Sequence, residues 1–183
     1  DTHALDIACA LEMVHAYSLI HDDLPCMDDD DLRRGKPSCH IQFGEANALL
    51  AGDGLLTYAF EVILKASNHP SVGWERAGRA ALCLAKAVGV DGMIGGQIID
   101  LGFEKYPPKD PDSLRAMVAM KTGALIEAAC EIGCILGGAD EWITDRAKEY
   151  ARKIGLAFQI IDDILDVIGD EKTLGKPIGS DKE

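Results

Sequence analysis

The stretch SLIHDDLPCMDDDDLRRGKPS, residues 18–38, places six aspartates within ten positions at the end of an apolar run. Neighbouring carboxylates raise one another's pKa, so this density is costly unless water or a cation lies among the charges. An isolated acidic run is most often a solvated loop. A cation is favoured here because a second apolar run, FQII, also ends in a pair of aspartates, Asp162 and Asp163.

The second motif, IIDDILD, spans residues 160–166. Asp162 and Asp166 are four residues apart and share one face of a helix, with Asp163 beside them. The apolar residues around them predict that this helix is largely buried. Mg²⁺ prefers oxygen ligands and usually bridges a few carboxylates to substrate phosphates. Two such motifs in one domain therefore predict a diphosphate held between them through metal ions.

Pro25 interrupts the first motif between its second and third aspartates. On an unbroken helix Asp28 would lie about 240° around the axis from Asp22, too far round to share a site. Proline removes a backbone donor and disfavours helical geometry at the preceding residue, Leu24. We therefore expect the helix to end near Pro25 and Asp28 to return beside Asp22.

Basic residues stand close to both acidic motifs. They are Arg33 and Arg34 after the first motif, Lys121 in AMKTGAL, and Lys176 in LGKP after the second. A lysine within an apolar helix is costly unless it has an anionic partner. Phosphate binding is therefore favoured over plain surface charge for these four residues.

Apolar residues recur at helical spacing along most of the chain, and alternation of period two is not sustained. The predicted helices cover residues 4–21, 41–66, 72–89, 113–137 and 141–168. The expected N-caps are Ser71, Ser113 and Asp140, and the expected helix ends are Gly89 and Gly137-Gly138. Long helices with short joints predict an all-α bundle, with EKYPPKDP, residues 104–111, as a surface loop.

Composition limits the classes of function. The 183 residues carry a net charge of −13, which disfavours non-specific binding to nucleic acid or anionic membranes. We expect no signal peptide, no apolar run long enough to span a bilayer and therefore no stable membrane insertion. The six cysteines lack CxxC spacing and predict reduced, mostly buried thiols of a cytoplasmic protein. Residues 1–183 are expected to form one domain, part of a longer gene product.

The sequence resembles the trans-isoprenyl diphosphate synthase family, in particular its bacterial farnesyl-forming members. The matching motifs are HAYSLIHDDLPCMDDDDLRRGKPSCH (15–40), FGEANALLAGD (43–53), GGQIIDL (95–101), KTGALI (121–126), GLAFQIIDDILD (155–166) and TLGK (173–176). The resemblance implies an all-α, isoprenoid-synthase-type helical bundle around a central cavity, and a homodimer. It also implies a partial polyprenyl synthase domain that lacks its N-terminal and C-terminal parts, so that the fragment alone is expected to be inactive.

The resemblance further assigns roles to single residues. The implied ligands of Mg²⁺, for which Mn²⁺ can substitute, are Asp22, Asp28 and Asp162, supported by Asp23, Asp163 and Asp166. The implied allylic diphosphate site is Arg33, Lys121, Gln159 and Lys176, and Arg34 would contact isopentenyl diphosphate. Lys121, Thr122 and Gln159 would stabilise an allylic carbocation. The implied reaction condenses isopentenyl diphosphate with dimethylallyl or geranyl diphosphate and releases diphosphate.

Tyr17 lies five residues before Asp22, just over one helical turn deeper. A bulky ring there should close the floor of the hydrocarbon pocket, as in the farnesyl-forming members that the sequence resembles. The expected product is therefore farnesyl diphosphate. An ordinary core role for Tyr17 is the alternative, and a geranylgeranyl diphosphate synthase is the alternative activity.

Other classes of function are less favoured by the residues. A non-catalytic partner subunit of a heteromeric prenyl synthase usually loses one acidic motif, and this chain keeps both. A metal phosphohydrolase built on His21-Asp22 lacks a further histidine cluster, since His40 and His69 are expected at the surface or at caps. Calcium binding by residues 28–31 is disfavoured because the loop lacks the EF-hand glycine and terminal glutamate.

Overall fold

A computed structural model describes residues 2–108 and 110–168. The helices are α1 (Thr2–Asp22), α2 (Cys39–Phe43), α3 (Glu45–Lys65), α4 (Gly73–Val88), α5 (Met93–Lys105), α6 (Pro111–Val118), α7 (Ala124–Gly137) and α8 (Glu141–Ile168). A two-stranded ribbon pairs β1 (Leu32–Arg33) with β2 (Lys36–Pro37), a short 3-10 turn covers Ala66–Asn68, and a π turn, Ala119–Gly123, separates α6 from α7. The predicted all-α fold is confirmed.

The hydrophobic core lies where α1, α3, α4 and α7 meet. Along α1, the buried residues Ile7, Ala10, Val14 and Tyr17 follow one another at intervals of three or four, so they form a single stripe. That stripe packs against α3, while α4 packs against α7. The fully buried side chains of the core include Ile63, Leu84 and Ile132.

Two of the three predicted N-caps are wrong. Asp110, not Ser113, caps α6, because its carboxylate accepts the Ser113 N–H at 2.9 Å and Pro111 occupies the first turn. Ser71 caps no helix and instead places its hydroxyl 2.8 Å from Nδ1 of His69. The third cap is confirmed, since Asp140 accepts the Ile143 N–H at 2.8 Å.

The predicted helix ends are confirmed. Gly89 is the C-cap of α4, and Gly138 is the C-cap of α7, where its left-handed φ of 69° favours glycine. The long interruption around EKYPPKDP is also present between α5 and α6. The predicted single helix over 113–137, by contrast, contains the π turn.

Helix α8 is less buried than its apolar sequence predicts. Its first half packs on α7, where Ala151 is buried and Arg152 donates to Glu127 at 2.8 and 2.9 Å. Further along, Phe158 and Ile161 are 55% and 57% exposed. The expected burial is therefore wrong for this part of the helix, because none of the described elements packs over these side chains.

The cysteines also differ from the prediction. All six are free thiols, but none is buried: Cys9 and Cys26 are exposed and the other four are half-buried. Helical spacing alone did not show which of these positions face the core.

By length and mean hydropathy alone, Glu45–Asn68 and Gly73–Phe103 could cross a membrane, contrary to the expectation from the sequence. The core helices of a bundle pass the same test, and these stretches supply the core residues Ile63 and Leu84. The second stretch is also divided, because α4 ends at Val88 and α5 begins at Met93. Length and hydropathy therefore do not assign these helices to a membrane.

Candidate active site

The first acidic motif folds back on itself at the end of α1. Helix α1 ends at Asp22, and the turn that follows contains Pro25. The Asp28 N–H then donates to the Asp22 carbonyl at 2.9 Å. This contact confirms that the chain breaks near Pro25 and returns Asp28 to the side of Asp22.

Asp22 lies in an electrostatically crowded position. Burial raises its pKa to about 6; the nearby Lys121 and Arg33 oppose the rise, and Asp28 and Asp23 add to it. A carboxylate with a raised pKa and a second carboxylate nearby would be stabilised in its charged form by a cation. The oxygen donors of Asp22 and Asp28 fit Mg²⁺.

Asp23 points to a different partner. Its side chain is almost fully buried, with only 2% of the residue exposed, and Arg33 donates to both of its oxygens. The Nε of Arg33 lies 3.0 Å from Oδ1 and 3.3 Å from Oδ2, and Nη2 also donates to Oδ1. The hydrogen bond and the charge of Asp23 raise the pKa of Arg33, and burial opposes the rise. The guanidinium is therefore a fixed cation.

The hairpin that carries Arg33 and Arg34 is held at its base. Arg33 pairs with Lys36, and the two residues between them, Arg34 and Gly35, have φ angles of 53° and 73°. Positive φ at both central positions is the type I′ turn that matches the twist of paired strands. The positive φ at Arg34 is a backbone strain that the paired strands on either side must hold.

His40 follows this hairpin in α2 and does not lie at the surface, which was one of the two positions expected for it. It is buried, and its Nδ1 lies 3.0 Å from the hydroxyl of Ser38. The Ser38 N–H in turn donates to the Asp31 carbonyl at 2.9 Å. His69, by contrast, is exposed as expected.

Lys121 lies within the π turn and forms an ion pair with Asp100 of α5. Burial lowers the pKa of Lys121, but Asp100, Asp22 and Asp28 outweigh that effect, so the pKa is raised. Lys121 therefore remains cationic at neutral pH. π turns occur frequently at functional sites.

The π turn lies between two glycines on neighbouring helices. A methyl group at Gly96 of α5 would lie 2.7 Å from the Lys121 Cα, and one at Gly155 of α8 would lie 3.5 Å from the Gly123 Cα. The first distance leaves no room for a side chain. Gly96 therefore allows α5 to lie directly against the backbone of Lys121.

A cavity of about 860 Å³ joins these elements. Six of the residues singled out in the sequence line it: Tyr17, Asp22, Arg33, Arg34, Lys121 and Thr122. Its apolar lining includes Met93, Ile94, Ile98, Leu101, Leu125, Ile126 and Phe158. Four charged groups and an extensive apolar wall suit a ligand with an anionic head and a hydrocarbon tail.

The sequence profile of polyprenyl synthetases matches residues 1–183, the whole chain. The chain belongs to the polyprenyl synthetase family. This confirms the resemblance inferred from the motifs.

The relatives of this chain are named as synthases of different prenyl diphosphates. The farnesyl diphosphate synthase of Geobacillus stearothermophilus is 50% identical over 97% of the chain and 59% of its own length. The large subunit 1 of the heterodimeric geranylgeranyl pyrophosphate synthase of Arabidopsis thaliana chloroplasts is 48% identical over 99% of the chain and 49% of its own length. A geranyltransferase from Helicobacter pylori, solved with magnesium and isoprenyl diphosphate, has a TM-score of 0.86 at 38% identity, covering 94% of this chain and 56% of that one. The chain thus spans about half to three fifths of the length of these relatives.

The remaining predicted residues of this polyprenyl synthetase family member lie on α8 or beyond it. Gln159 is half-buried and follows Phe158, which lines the cavity. Asp162, Asp163 and Asp166 belong to the same helix, but their side chains, like the whole of Lys176, lie outside the described residues. Among the described side chains, no three of His, Cys, Asp or Glu could hold a metal ion together.

Three further site residues were missed by sequence reasoning. His15 lines the cavity and could have been found, because it lies seven residues, or nearly two full turns, before Asp22. Gln97 also lines the cavity, and its buried Nε2 has no hydrogen-bond partner among the described residues. Asp100 holds Lys121, a pairing between separate helices that no local pattern indicates.

Proposed function

We propose that the protein is a prenyltransferase that condenses isopentenyl diphosphate with an allylic diphosphate, dimethylallyl or geranyl, and releases diphosphate. The observation that carries this proposal is the single cavity in which Asp22, Arg33 and Lys121 lie beside an apolar wall. Charged groups bind the diphosphate, and the apolar wall takes the hydrocarbon.

The residues proposed to bind diphosphate divide between the two substrates. Arg33, Lys121, Gln159 and Lys176 bind the allylic diphosphate. Arg34 binds isopentenyl diphosphate, and His15, which lines the same cavity, is a further candidate for this site. The unpartnered Nε2 of Gln97 adds a donor that an acceptor oxygen of a ligand would satisfy.

Asp22, Asp28 and Asp162 would hold Mg²⁺, with Asp163 and Asp166 in support. The raised pKa of Asp22 and the return of Asp28 fit this role. Mg²⁺ rarely takes an all-protein cage, so a bound diphosphate would supply further oxygen ligands. When bound, Mg²⁺ neutralises charge on the departing diphosphate.

The chain's own residues then act on the reacting carbons. Arg33 and Lys121 stabilise the charge that develops on the diphosphate as the allylic C–O bond breaks. Oxygens of Lys121 or Thr122 and the amide of Gln159 stabilise the carbocation, and the apolar wall excludes water that would quench it. The alkene of isopentenyl diphosphate forms the new C–C bond, and the proton it loses passes to the released diphosphate.

Tyr17 supports farnesyl diphosphate, with fifteen carbons, as the product. Its ring is 6% exposed, lines the cavity and packs edge-on against His21, with 5.6 Å between ring centroids. His21 is itself held, because its Nε2 lies 3.0 Å from the Leu49 carbonyl. A ring fixed in this way is a rigid floor, although the relatives include both farnesyl and geranylgeranyl synthases.

The same proposal includes a cytoplasmic homodimer. Free thiols are typical of a reducing compartment. Leu49, Leu50 and Tyr58 on α3 are 47%, 66% and 47% exposed, an apolar surface of the kind that a second copy would cover.

The decisive assay incubates the full-length protein with geranyl diphosphate, isopentenyl diphosphate and Mg²⁺ and identifies products by mass spectrometry. A fifteen-carbon diphosphate is expected. A twenty-carbon product would instead favour the geranylgeranyl activity. If the folded protein gives no elongation, the catalytic proposal fails and the role of a partner subunit in a heteromeric synthase takes its place.

A further inference from the structure

We propose that Asp23, the second aspartate of the first acidic motif, is not a metal ligand but a positioning residue that fixes the guanidinium of Arg33 for binding diphosphate. This inference rests on the proposed function, because it gives Arg33 the diphosphate as its ligand. It separates the roles of two adjacent aspartates that look equivalent in the sequence.

The two carboxylates leave the end of α1 in different directions. Asp22 lines the cavity, whereas Asp23 does not and is buried beside the hairpin. Adjacent residues on a helix are separated by about 100° around its axis, so one of them faces the cavity while the other faces the turn. A cation in the cavity is therefore within reach of Asp22 and out of reach of Asp23.

Both oxygens of Asp23 are already engaged. Arg33 donates to them through Nε and Nη2. A buried carboxylate without a partner is strongly unfavourable, so this pair holds together once it is formed. The pairing accounts for the second aspartate of the motif without assigning it a metal ion.

The pair also orients Arg33 toward the cavity. A guanidinium has five N–H donors, and Asp23 occupies those on Nε and one on Nη2. The other edge, including Nη1, has no hydrogen-bond partner among the described residues, and Arg33 lines the cavity. Because the fork is planar and rigid, fixing one edge fixes the direction of the other.

The test rests on the direction in which the affinity for diphosphate changes when Asp23 loses its charge. Removing a negative charge beside an anion site should strengthen anion binding by simple electrostatics. If Asp23 positions Arg33, Asp23→Asn should do the opposite and weaken binding. Asp30→Asn is the matched control, because it removes the same charge close to the same guanidinium. Asp30 lies 3.7 Å from Nη2 of Arg33, is more exposed than Asp23, and does not form the two-point contact that Asp23 forms.

The first measurement is calorimetric binding of inorganic diphosphate to the full-length protein in the presence of a chelator. We expect Asp23→Asn to weaken binding roughly tenfold, while Asp30→Asn leaves it unchanged or tightens it. Arg33→Lys keeps the charge but cannot form the planar pair, so it should weaken binding by a similar factor. In the Arg33→Lys background, Asp23→Asn should have little further effect, because the two residues act as one unit.

The second measurement is the Mg²⁺ concentration that gives half-maximal turnover at saturating substrates. Asp23→Asn should leave this Mg²⁺ concentration within about twofold of the wild-type value, whereas Asp22→Asn should raise it. Thermal unfolding identifies any variant that does not fold. If Asp23→Asn does not fold, the binding of diphosphate by Arg33→Lys tests the inference instead. The inference is overturned if Asp23→Asn binds diphosphate as tightly as Asp30→Asn, or if it shifts the Mg²⁺ requirement as far as Asp22→Asn does. A wild-type protein that binds no diphosphate, either with the chelator or with Mg²⁺ in its place, would instead overturn the proposed function.

Discussion

The turn after α1 and the π turn before α7 both place a cation beside Asp22, but they hold it differently. Arg33 is fixed by hydrogen bonds to a buried carboxylate in an irregular segment. Lys121 belongs to a helical backbone that lies against the glycines of two other helices, and its Asp100 partner is half-exposed. Substitutions that remove a charge should therefore perturb the first arrangement most. Substitutions that enlarge a side chain should perturb the second most.

Asp22 is where the two arrangements meet, because both Arg33 and Lys121 lower its pKa against the effect of burial. Asp22→Asn should reduce turnover by at least about 10²-fold at saturating Mg²⁺, since it removes a central charge of the site. Steady-state kinetics test this prediction. Asp91→Asn, the same change at an exposed position, is the control and should leave turnover unchanged. Turnover within twofold of wild type for Asp22→Asn would contradict the proposed site.

Gly96→Ala tests the arrangement that depends on size. Its Cβ would lie 2.7 Å from the Cα and 2.9 Å from the Cβ of Lys121, and neither atom can move without moving the π turn. We expect a loss of about 1–3 kcal/mol in the free energy of unfolding, from overpacking. Gly102→Ala on the same helix is the matched control, because nothing lies within 4 Å of its Cβ. Equal unfolding midpoints for the two variants would show that the backbone contact does not constrain the turn.

Asp100→Asn tests whether loss of a charge weakens substrate binding less at the Lys121 ion pair than at the Arg33 ion pair. Lys121 and Asp100 have side chains that are 28% and 34% exposed, so solvent screens this ion pair more than it screens the buried pair of Asp23. We expect the KM for the allylic diphosphate to rise by about threefold, a smaller effect than that of a buried pair. High salt should reduce the difference from wild type. A larger rise than that caused by Asp23→Asn would reverse the comparison.

Tyr17→Ala should have the smallest effect on rate and a clear effect on product. The ring lines the cavity, and we propose that it closes the floor without binding diphosphate. We expect longer products, with consumption of isopentenyl diphosphate within a few-fold of wild type, as measured by mass spectrometry. Tyr17→Phe keeps the ring and should keep the fifteen-carbon product. An unchanged product from Tyr17→Ala would show that other residues set its length.

The parts of the site that depend on neighbouring residues could be predicted from the sequence. The parts that depend on contacts between residues far apart in the chain could not. The return of Asp28 followed from Pro25, because proline acts on its immediate neighbours. The ion pair between Asp23 and Arg33 joins residues ten positions apart through an irregular turn, so no periodic pattern indicates it.

Packing between helices was equally hidden from sequence reasoning. The π turn at Lys121 arises within a sequence that reads as one regular helix, and its contact with Gly96 comes from a separate element. The expected burial of α8 was wrong for the related reason that an apolar surface does not reveal which element covers it.

The contact of Gly96 with the backbone of Lys121 has a consequence for how the proposed enzyme could diversify. The backbone of Lys121 lies directly against Gly96 of α5, so a side chain at position 96 would displace the turn that carries Lys121. Under the proposed function, longer substrates would be accommodated along the depth of the cavity, by replacing side chains such as Tyr17. Ionisation and product length could then evolve separately, because different residues are proposed to control them.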